Sequence, residues 1–453
     1  MVRKKDPSPD FCDWTRTHSM KRIRPLVLLT ACAILLLSVV ALRAAPGRSI
    51  LLRSSWQTTN IGDIDHTPGF LALAQTYAPD SEVVLWPVDI GGEVGAMLRR
   101  KFPALRIVKG RIVDGQPDTP ELKAAFESAD LLIHGSGPDV RAGDLNAWAK
   151  LTGKPYGLYG VTVDRNSEFY RFSGKPVGVL EPELRAALDH AAFVYCRDTT
   201  SLAFLQKEKV APSVLGFAPD AVFAVNLADE AGATAWRNSV GLKEDGYLCV
   251  IPRFRFAPYY LIRGEQMTER DRSKVDYNLL YTETDMAKLR GCIVAWVRQT
   301  HQWVAICPEM IYEMALGKSE LLDKLPEDVR THVVVHDAYW LPDEAASVYA
   351  RATALLSMEC HSPIIAAVQG VPSIYLHTPT ETSKGQMWRD VGLNSSILEL
   401  DATSGADLEA AILAVERSQT DAKENLHRAM DFIHQRQRET MEVVVRTLVG
   451  STR

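Results

Sequence analysis

The sequence has no long block of like charge and little cysteine. Its 51 lysine and arginine residues and 56 acidic residues are spread along 453 positions, giving a formal net charge of −5. A nucleic-acid-binding surface requires clustered basic side chains, so we expect no nucleic acid among the partners. The seven cysteines include no Cys-x-x-Cys pair. This spacing argues against a disulfide framework or a zinc site and predicts buried structural thiols.

Motifs of several enzyme classes are also absent from the sequence. It contains no Gly-x-Ser-x-Gly elbow, no Walker phosphate loop and no His-Glu-x-x-His helix. These absences give no support to a serine hydrolase, a P-loop enzyme or a zinc protease. His332 and His336 share one side of a predicted strand, but no third ligand accompanies them. We therefore predict neither a metal site nor a cofactor.

The N-terminal region contains an apolar segment that follows a basic cluster. Lys21, Arg22 and Arg24 precede the uncharged run 26–42, and small residues follow it at 44–45. This order is typical of a secretory signal peptide, while a run of about 17 residues also reaches the lower limit for a membrane-spanning helix. A cleaved signal and an uncleaved membrane anchor both stay open. Basic residues are denser before the run, which predicts that the body of the protein lies outside the cytoplasm.

The rest of the chain has the composition and pattern of an α/β protein. Hydrophobic residues make up 46% and charged residues 24% of the sequence, a mixture typical of globular proteins. Short apolar runs alternate with amphipathic stretches, which predicts parallel sheets covered by helices on both faces. A first series of strands is predicted at Ile50–Leu52, Val83–Val88, Arg106–Val108, Leu131–His134, Tyr156–Val163 and Phe193–Cys196.

A second series of strands follows, so the pattern predicts two Rossmann-like domains. We expect a leader at 1–48, domains at 49–242 and 243–420, and a long C-terminal helix at 421–453. The charged, tyrosine-rich stretch at 257–281 is predicted to be either a mobile flap or an exposed insertion. The second series of strands is predicted at Tyr247–Ile251, Trp303–Cys307, Val333–His336, Ala354–Ser357 and Ser373–Leu376.

Polar and glycine-rich turns follow strands of the first series, where open α/β sheets bind their ligands. Asn60 and Asp63 come after the first strand, with His66 close behind. These three side chains are candidates to hold the hydroxyls of a sugar acceptor. A capped turn in which Asp63 serves the following helix is an equally open interpretation. Gly135 and Ser136 follow a later strand, where a glycine-rich turn can cradle an anion.

Charged side chains follow strands of the second series. Arg253 and Arg255 stand at alternate positions, so they point to one side and suit a carboxylate or phosphate. His361 lies at a strand-to-helix turn that suits proton transfer, and Glu359 is placed to set its charge state. Lys384 comes with hydroxyl groups and a glycine before a predicted helix, which suits phosphate binding.

The order and spacing of these turns resemble the polysaccharide pyruvyl transferase family. The resemblance rests on Asn-Ile-Gly-Asp at 60–63, Ala-Asp-Leu-Leu-Ile-His-Gly-Ser-Gly at 129–137, Lys-Pro-Tyr-Gly at 154–157, Cys-Arg-Asp at 196–198 and the block 357–370. Enzymes of this family are similar to two-domain glycosyltransferases of the GT-B type. They transfer the enolpyruvyl unit of phosphoenolpyruvate onto two sugar hydroxyls, giving a cyclic pyruvate ketal and phosphate.

The resemblance implies a donor, an acceptor and roles for the site residues. Phosphoenolpyruvate would be the donor and a cell-envelope glycan the acceptor. His361 matches the family histidine and would move a proton during ketal formation. Arg253 would hold the donor's carboxylate or phosphate, with Lys384 as a further phosphate ligand.

In one place the sequence departs from the family pattern. The family commonly has Ser-Arg-x-His in the late block, and here Glu359 takes the place of the arginine. Two alternatives therefore stay open. The protein is either an exported glycan-binding protein that has lost transfer, or a transferase that uses another donor such as a nucleotide sugar.

Overall fold

The computed structural model describes residues 47–165, 172, 177–242 and 245–450. The predicted apolar segment at 26–42 lies outside these ranges, so the signal-peptide and anchor interpretations stay predictions. Within the described ranges, no helix combines the length and the apolar character that crossing a membrane requires. The predicted α/β class with parallel sheets is confirmed.

The first half of the body is built on a seven-stranded sheet whose order is β3-β2-β1-β6-β7-β8-β9. All neighbouring strands are parallel, and the central strands are buried along their whole length. Burial on both faces explains why these strands appear in the sequence as continuous apolar runs. The strands are β1 (Ser49–Ser54), β2 (Glu82–Pro87), β3 (Arg106–Ile107), β6 (Leu131–His134), β7 (Tyr156–Val161), β8 (Phe193–Cys196) and β9 (Leu215–Phe217), with a separate antiparallel hairpin of β4 (Ile112–Val113) and β5 (Gln116–Pro117).

Helices cover both faces of this sheet. They connect consecutive parallel strands, as parallel pairing requires. A short 3₁₀ helix, Ala221–Ala224, follows the last strand. The α-helices of this half are α1 (Ile61–Tyr77), α2 (Gly92–Lys101), α3 (Pro120–Ser128), α4 (Ala142–Thr152), α5 (Pro182–Asp189), α6 (Thr199–Lys207) and α7 (Glu230–Ser239).

The second half repeats the architecture with a six-stranded parallel sheet in the order β12-β11-β10-β13-β14-β15. Its strands are β10 (Leu248–Ile251), β11 (Val304–Ile306), β12 (Val333–Val335), β13 (Ala354–Ser357), β14 (Ser373–His377) and β15 (Ile397–Glu399). Its α-helices are α8 (Tyr259–Ile262), α9 (Glu269–Thr300), α10 (Glu313–Leu316), α11 (Glu327–Arg330), α12 (Pro342–Tyr349), α13 (His361–Val368), α14 (Lys384–Asp390) and α15 (Gly405–Arg417). A π-helical turn at Gly317–Leu321 and 3₁₀ turns at Leu322–Lys324 and Asn394–Ser396 complete this half.

In each sheet the strand order reverses beside the first strand of that half. Strand β1 lies between β2 and β6, and β10 lies between β11 and β13. Ligands of open α/β sheets bind at the carboxyl ends of strands at such a reversal. The predicted site residues follow β1, β6, β10, β13 and β14, so four of these five segments lie at the two reversals.

A continuous apolar cluster joins the two halves. It includes Phe70 and Tyr159 from the first half, Tyr349 and Trp388 from the second, and Leu448 from the final helix. Two further clusters cover the outer faces of the sheets. The body cysteines are free and buried, which confirms the prediction of structural thiols.

The long C-terminal helix predicted from residue 421 onward is α16, Gln419–Gly450. Its 32 residues span about 48 Å at 1.5 Å per residue. Asn425 near its start lies 3.3 Å from Ser395 of the second half. Further along, Thr440 lies 3.0 Å from the Tyr159 hydroxyl of the first half. The helix therefore packs across both halves.

The stretch at 257–281, predicted to be a flap or an exposed insertion, is largely helical. It contains α8 and the first turns of α9. A capping box begins α9, because Thr268 accepts a hydrogen bond from the Asp271 amide and the Asp271 carboxylate accepts one from the Thr268 amide. This Thr-x-x-Asp pattern was a visible helix start. The sequence analysis also missed the three-residue strands β9 and β15.

Candidate functional site

A cavity of about 370 Å³ lies between the two halves, at the carboxyl ends of the strands. Residues of both halves line it, including Pro138 and Asp139 after β6, and Phe256 and Tyr259 after β10. Six of the ten predicted site residues lie in its wall. They are Asn60, Asp63, Arg253, Arg255, Glu359 and Lys384.

Asn60 caps the helix that carries the first candidate residues. Its Oδ1 accepts hydrogen bonds from the amides of Gly62, at 2.7 Å, and Asp63, at 3.2 Å. Its backbone is extended, as N-cap residues require. The turn is therefore capped, by Asn60 and not by Asp63, and the capping side chain also lines the cavity. Binding of an acceptor hydroxyl by Asn60 or Asp63 stays a prediction. The turn is fixed from the other half by a backbone hydrogen bond from Ile61 to Glu309, 3.0 Å long.

Arg253 lies in the wall between two buried carboxylates. Its Nε is 2.8 Å from Glu359 and its Nη1 is 2.7 Å from Glu381. Burial opposes the positive charge, but these two carboxylates raise the pKa of Arg253 well above its usual value. The guanidinium is thus charged, and side chains of the protein already occupy two of its edges. The sequence analysis missed Glu381, which follows β14.

Glu359 and Lys384 bring two further ionisable groups to the cavity. Burial raises the pKa of Glu359 to about 7, although Arg253 opposes this shift. Glu359 therefore keeps its proton to a higher pH than an ordinary glutamate does. Burial opposes the charge of Lys384, but Cys360 and Glu359 raise its pKa above the usual value. Lys384 is thus a charged ammonium group at the cavity wall.

Arg255 also lines the cavity, as the alternate spacing of the two arginines predicted. Its guanidinium donates to both oxygens of Asp285, at 2.8 and 3.0 Å, and bonds to Asp401. It also lies 3.7 Å from the centre of the Tyr281 ring. Its donors are thus largely used within the protein, and its role in donor binding stays a prediction.

Behind the cavity wall, two buried histidines from different halves meet. The rings of His66 and His361 lie edge to face with centres 5.1 Å apart. Asp220 lies between them, with Oδ1 3.2 Å from His66 Nδ1 and Oδ2 4.0 Å from His361 Nε2. Asp63 connects this cluster to the cavity, since its Oδ1 is 3.7 Å from His66 Nε2.

The two histidines have opposite pKa shifts. Burial disfavours the charge of His66, but Asp220 and Asp63 raise its pKa above the usual value. Burial, with His66 and Lys384 nearby, lowers the pKa of His361 to about 3. His66 therefore binds a proton more readily than an ordinary histidine, whereas His361 is neutral at neutral pH.

Other polar groups hold this cluster in place. Arg197 Nη1 donates to Asp220 Oδ2 at 2.6 Å, and despite burial the neighbouring cations keep the pKa of Asp220 well below its usual value. His66, Asp220 and His361 offer metal-ligand atoms within 4.8 Å of one another. Arg197 already supplies the positive charge that a metal would bring to Asp220. We therefore interpret the group as a proton-binding cluster.

The glycine-rich turn after β6 lies behind the wall of the cavity. Ser136 Oγ is 2.7 Å from His66 Nδ1, and a β-carbon on Gly135 would lie 3.0 Å from Ser54 Oγ. The turn thus packs against β1 and His66. The role of Gly135 and Ser136 in donor binding stays a prediction, and the structure brings them to the histidine cluster.

Sequence reasoning missed two acidic residues of this cluster. Asp220 follows β9, a strand that the sequence analysis did not identify. Glu309 follows β11; its Oε1 is 3.4 Å from His361 Nδ1, and its Oε2 accepts the Ser362 amide at 2.6 Å. Inspection of the turn after every strand would have found Glu309.

Comparison with protein families identifies the family to which this chain belongs. The family model described as "Polysaccharide pyruvyl transferase" matches residues 72–377, more than half of the chain. The chain belongs to the polysaccharide pyruvyl transferase family. As a member of this family it is a transferase related to glycan modification. The match includes Arg253, Glu359 and His361, whereas Asn60 and Lys384 lie outside it.

Solved structures of low sequence identity share the fold of this pyruvyl transferase family member. The Anabaena protein Alr3699/HepE, in complex with UDP and glucose, matches 87% of this chain and 98% of its own at 11% identity, with a TM-score of 0.50. Medicago truncatula UGT71G1, complexed with UDP-glucose, matches 89% and 99% at 8% identity, with a TM-score of 0.52. The UDP-GlcNAc 2-epimerase from Neisseria meningitidis matches 88% and 100% at 11% identity, with a TM-score of 0.52.

These similarities confirm two Rossmann-like halves in a GT-B-like arrangement. At such low identity they bear on the fold alone. A comparison with the curated proteins gives no match.

Proposed function

We propose that the protein transfers the enolpyruvyl unit of phosphoenolpyruvate onto two hydroxyls of a cell-envelope glycan, forming a cyclic pyruvate ketal and releasing phosphate. The observation that supports this proposal most directly is the cavity between the halves. In a member of the polysaccharide pyruvyl transferase family, it combines basic side chains, among them Arg253 and Lys384, with polar side chains from the opposite half.

The charges of the donor suit the cations of this cavity. Phosphoenolpyruvate carries a carboxylate and a phosphate, and an arginine fork and a lysine are the side chains that bind such groups. In this proposal Arg253 and Lys384 hold the donor, and Asn60 and Asp63 hold the acceptor hydroxyls. The roles of His66, Arg255, Gly135 and Ser136 in substrate binding are part of the same hypothesis.

The overall reaction sets the proton transfers that the site must support. Two acceptor hydroxyls each lose a proton and form a bond to the same carbon of the donor. One proton is needed on the methylene carbon, which becomes a methyl group, and the other leaves with phosphate. The bond that breaks joins that carbon to the phosphate oxygen. Asp63 connects the buried histidines to the cavity, and we propose His361 and Glu359 as the proton-transfer groups.

The direct test measures both products of the reaction. The full chain would be incubated with phosphoenolpyruvate and cell-envelope glycans, while phosphate release and the methyl signal of the ketal are followed. We expect both products to appear together, and His361→Ala to abolish both. Asp139→Asn, which changes an exposed carboxylate at the same cavity, is the matched control. Absence of phosphate release with every acceptor would contradict the proposal.

The carboxylates on Arg253 favour a second candidate, a glycan-binding protein without transfer. Glu359 and Glu381 occupy the positions that a donor carboxylate would take on this guanidinium. This candidate predicts saturable glycan binding with no turnover. Absence of glycan binding would exclude it.

A third candidate is a transferase with another donor. The structures of HepE and UGT71G1 contain UDP or UDP-glucose, so a nucleotide sugar is the alternative donor to test. A ligand that binds only the folded state raises its melting temperature. Stabilisation by UDP-glucose and not by phosphoenolpyruvate would favour this candidate.

The proposal also includes a location at the cell envelope. The apolar segment at 26–42 would direct the chain to the membrane and either be cleaved or stay as an anchor, with the body on the extracytoplasmic side. Fractionation of the native protein, with N-terminal sequencing, tests this directly. A chain that stays in the cytosolic fraction with its full N-terminus would contradict it.

A further inference from the structure

We infer that Asp63, His66, Asp220 and His361 form a proton relay that opens into the cavity at Asp63. The inference rests on the proposed function for its chemical purpose. It goes further by joining residues of both halves into one proton-carrying unit, and by giving Asp220 a role that the sequence did not indicate.

The path has three steps, each between neighbouring side chains. Asp63 lines the cavity, and its Oδ1 lies 3.7 Å from His66 Nε2. His66 Nδ1 lies 3.2 Å from Asp220 Oδ1. Asp220 Oδ2 then lies 4.0 Å from His361 Nε2. The first and third distances exceed a hydrogen bond by less than about 1 Å, and such contacts commonly shorten when substrate binds.

Each histidine of the relay has one ring nitrogen without a hydrogen-bond partner. Within the described part of the chain, Nε2 of His66 and Nε2 of His361 are buried and have no hydrogen-bond partner. Buried polar atoms are nearly always paired, because leaving one unpaired costs free energy. Each unpaired nitrogen faces a carboxylate, Asp63 or Asp220, across a short gap. That arrangement suits proton transfer between them.

The surrounding groups favour different charge states for the two histidines of the relay. His66 faces Asp63, Asp220, Ser136, Arg197 and His361, and the two carboxylates favour its imidazolium form. The groups that face His361 are Asp220, Glu309, Cys360, Lys384, Arg197 and His66, and burial among them favours its neutral form. Two groups whose pKa values are shifted in opposite directions provide one proton donor and one proton acceptor.

This unit matches the proton balance of ketal formation. The methylene carbon of the donor takes one proton, which His66 would supply through Asp63. An acceptor hydroxyl returns a proton through Asp63 as its oxygen bonds to the donor carbon, so the relay regains its starting state. The second hydroxyl proton leaves with phosphate. His361 carries no proton in this sequence of steps, because it stays neutral; it lies beside Asp220 at the far end of the relay.

Histidine protonation can be observed directly by nuclear magnetic resonance. The full chain, labelled with ¹⁵N at histidine, would be titrated from about pH 5 to pH 9, and the ring signals assigned with His66→Gln and His361→Gln. We expect His66 to stay doubly protonated above the ordinary histidine transition and His361 to stay neutral throughout. In Asp220→Asn the His66 transition should fall by about 1–3 pH units, the effect of one opposite charge within ~4–6 Å.

Two further variants make the test decisive. Asp63→Asn should also lower the pH of the His66 transition. Because Asp63 lies at the cavity wall, this variant tests the relay if Asp220→Asn does not fold. Asp139→Asn, a carboxylate at the same cavity outside the relay, should leave both histidines unchanged. Two histidines that titrate independently in the ordinary range, unaffected by Asp63→Asn, would overturn the relay.

Kinetic measurements separate the relay from the proposed reaction. Asp63→Asn should lower kcat at least about tenfold and move the pH profile, with the KM for phosphoenolpyruvate little changed, and Asp63→Glu should restore part of the rate. An Asp63→Asn enzyme with a normal pH profile would overturn the relay. If the wild-type chain shows no transfer, the proposed reaction fails, and the histidine spectra still decide whether the relay exists.

Discussion

Gly62 lies directly against the imidazole of His361. A β-carbon built on Gly62 would lie 2.3 Å from Nδ1 of His361 and 2.4 Å from its Cβ and Cγ. Real β-carbons do not approach other atoms so closely, so the ring occupies this position only because residue 62 is glycine. The first turn of α1 in one half thus determines where the histidine of the other half can lie.

Gly62→Ala should therefore displace His361 and strongly reduce transfer. In an ordinary helix this change stabilises by about 1 kcal/mol, whereas forcing an atom into a packed site costs about 1–3 kcal/mol. We expect the steric cost to dominate, giving lower stability in urea denaturation and loss of most activity. Gly92→Ala is the matched control, since Gly92 also lies in the first turn of a helix and a β-carbon there meets nothing within 4 Å. Equal activity of the two variants would contradict this prediction.

Glu359→Gln should strengthen the binding of phosphoenolpyruvate and remove part of its pH dependence. Glu359 has a pKa raised to about 7 by burial, so its carboxylate forms and competes for Arg253 as the pH rises above that value. In the wild type, affinity should fall between pH 6 and pH 8, and the variant should bind about tenfold more tightly at the higher pH. Calorimetric titration at the two pH values measures this. Asp139→Asn should change affinity less, because Asp139 is exposed and its charge is screened.

Arg253 and Glu359 should show strong energetic coupling in a double-mutant cycle. Arg253→Ala leaves Glu359 and Glu381 buried without their cation, and breaking a buried pair in this way costs about 3–5 kcal/mol. Glu359→Gln removes one of the two buried charges and so lowers this cost. We expect the double variant to be more stable than the sum of the single changes by about 0.5–3 kcal/mol, measured by urea denaturation. Strict additivity would show that the ion pair contributes no coupling.

Glu309 and Glu359 should contribute less stability to the unliganded protein as the pH rises from about 4.5 to 7. Burial raises the pKa of Glu309 to about 6 and that of Glu359 to about 7, whereas in the unfolded chain both titrate near 4.3. The stability that each carboxyl group contributes is fully present below its pKa in the unfolded chain. It is lost as the pH rises through its pKa in the folded protein. The loss is about 1 kcal/mol for each pH unit that separates the two pKa values. Glu309→Gln should flatten this decline in urea denaturation at several pH values. Glu265→Gln, at an exposed position, should leave the slope unchanged.

The capping role of Asn60 and its proposed role in acceptor binding can be separated by choice of substitution. Asn60→Ala removes the helix cap and should lower the free energy of unfolding by about 0.5–2 kcal/mol. Asn60→Ser keeps a capping oxygen and should keep most of the stability. If Asn60 also binds the acceptor, Asn60→Ser should raise the KM for the glycan without changing the melting temperature. An unchanged KM would limit Asn60 to its capping role.

Much of the fold was predictable because it rests on local patterns. Leu131–His134, Phe193–Cys196 and Ala354–Ser357 were predicted with the bounds that the structure shows, since a parallel strand buried on both faces is a continuous apolar run. The stretch at 257–281 is largely exposed, in keeping with the predicted exposed insertion, but its helices were not predicted because its charges and tyrosines obscured the helical period. The strand Leu215–Phe217 was too short to show any period.

The sequence by itself determined the α/β class, the alternation of strands and helices, and which turns carry ionisable side chains. Only the tertiary structure decided how those side chains pair. Arg253 meets Glu359 and Glu381 because three separate turns end at the same edge of one sheet. His66 meets Asp220 because the turns after two strands of the first half come together, and it meets His361 because the two halves pack against each other. Residue type and local period are properties of a segment, whereas burial, partner and pKa depend on which distant segments the fold brings within a few ångströms.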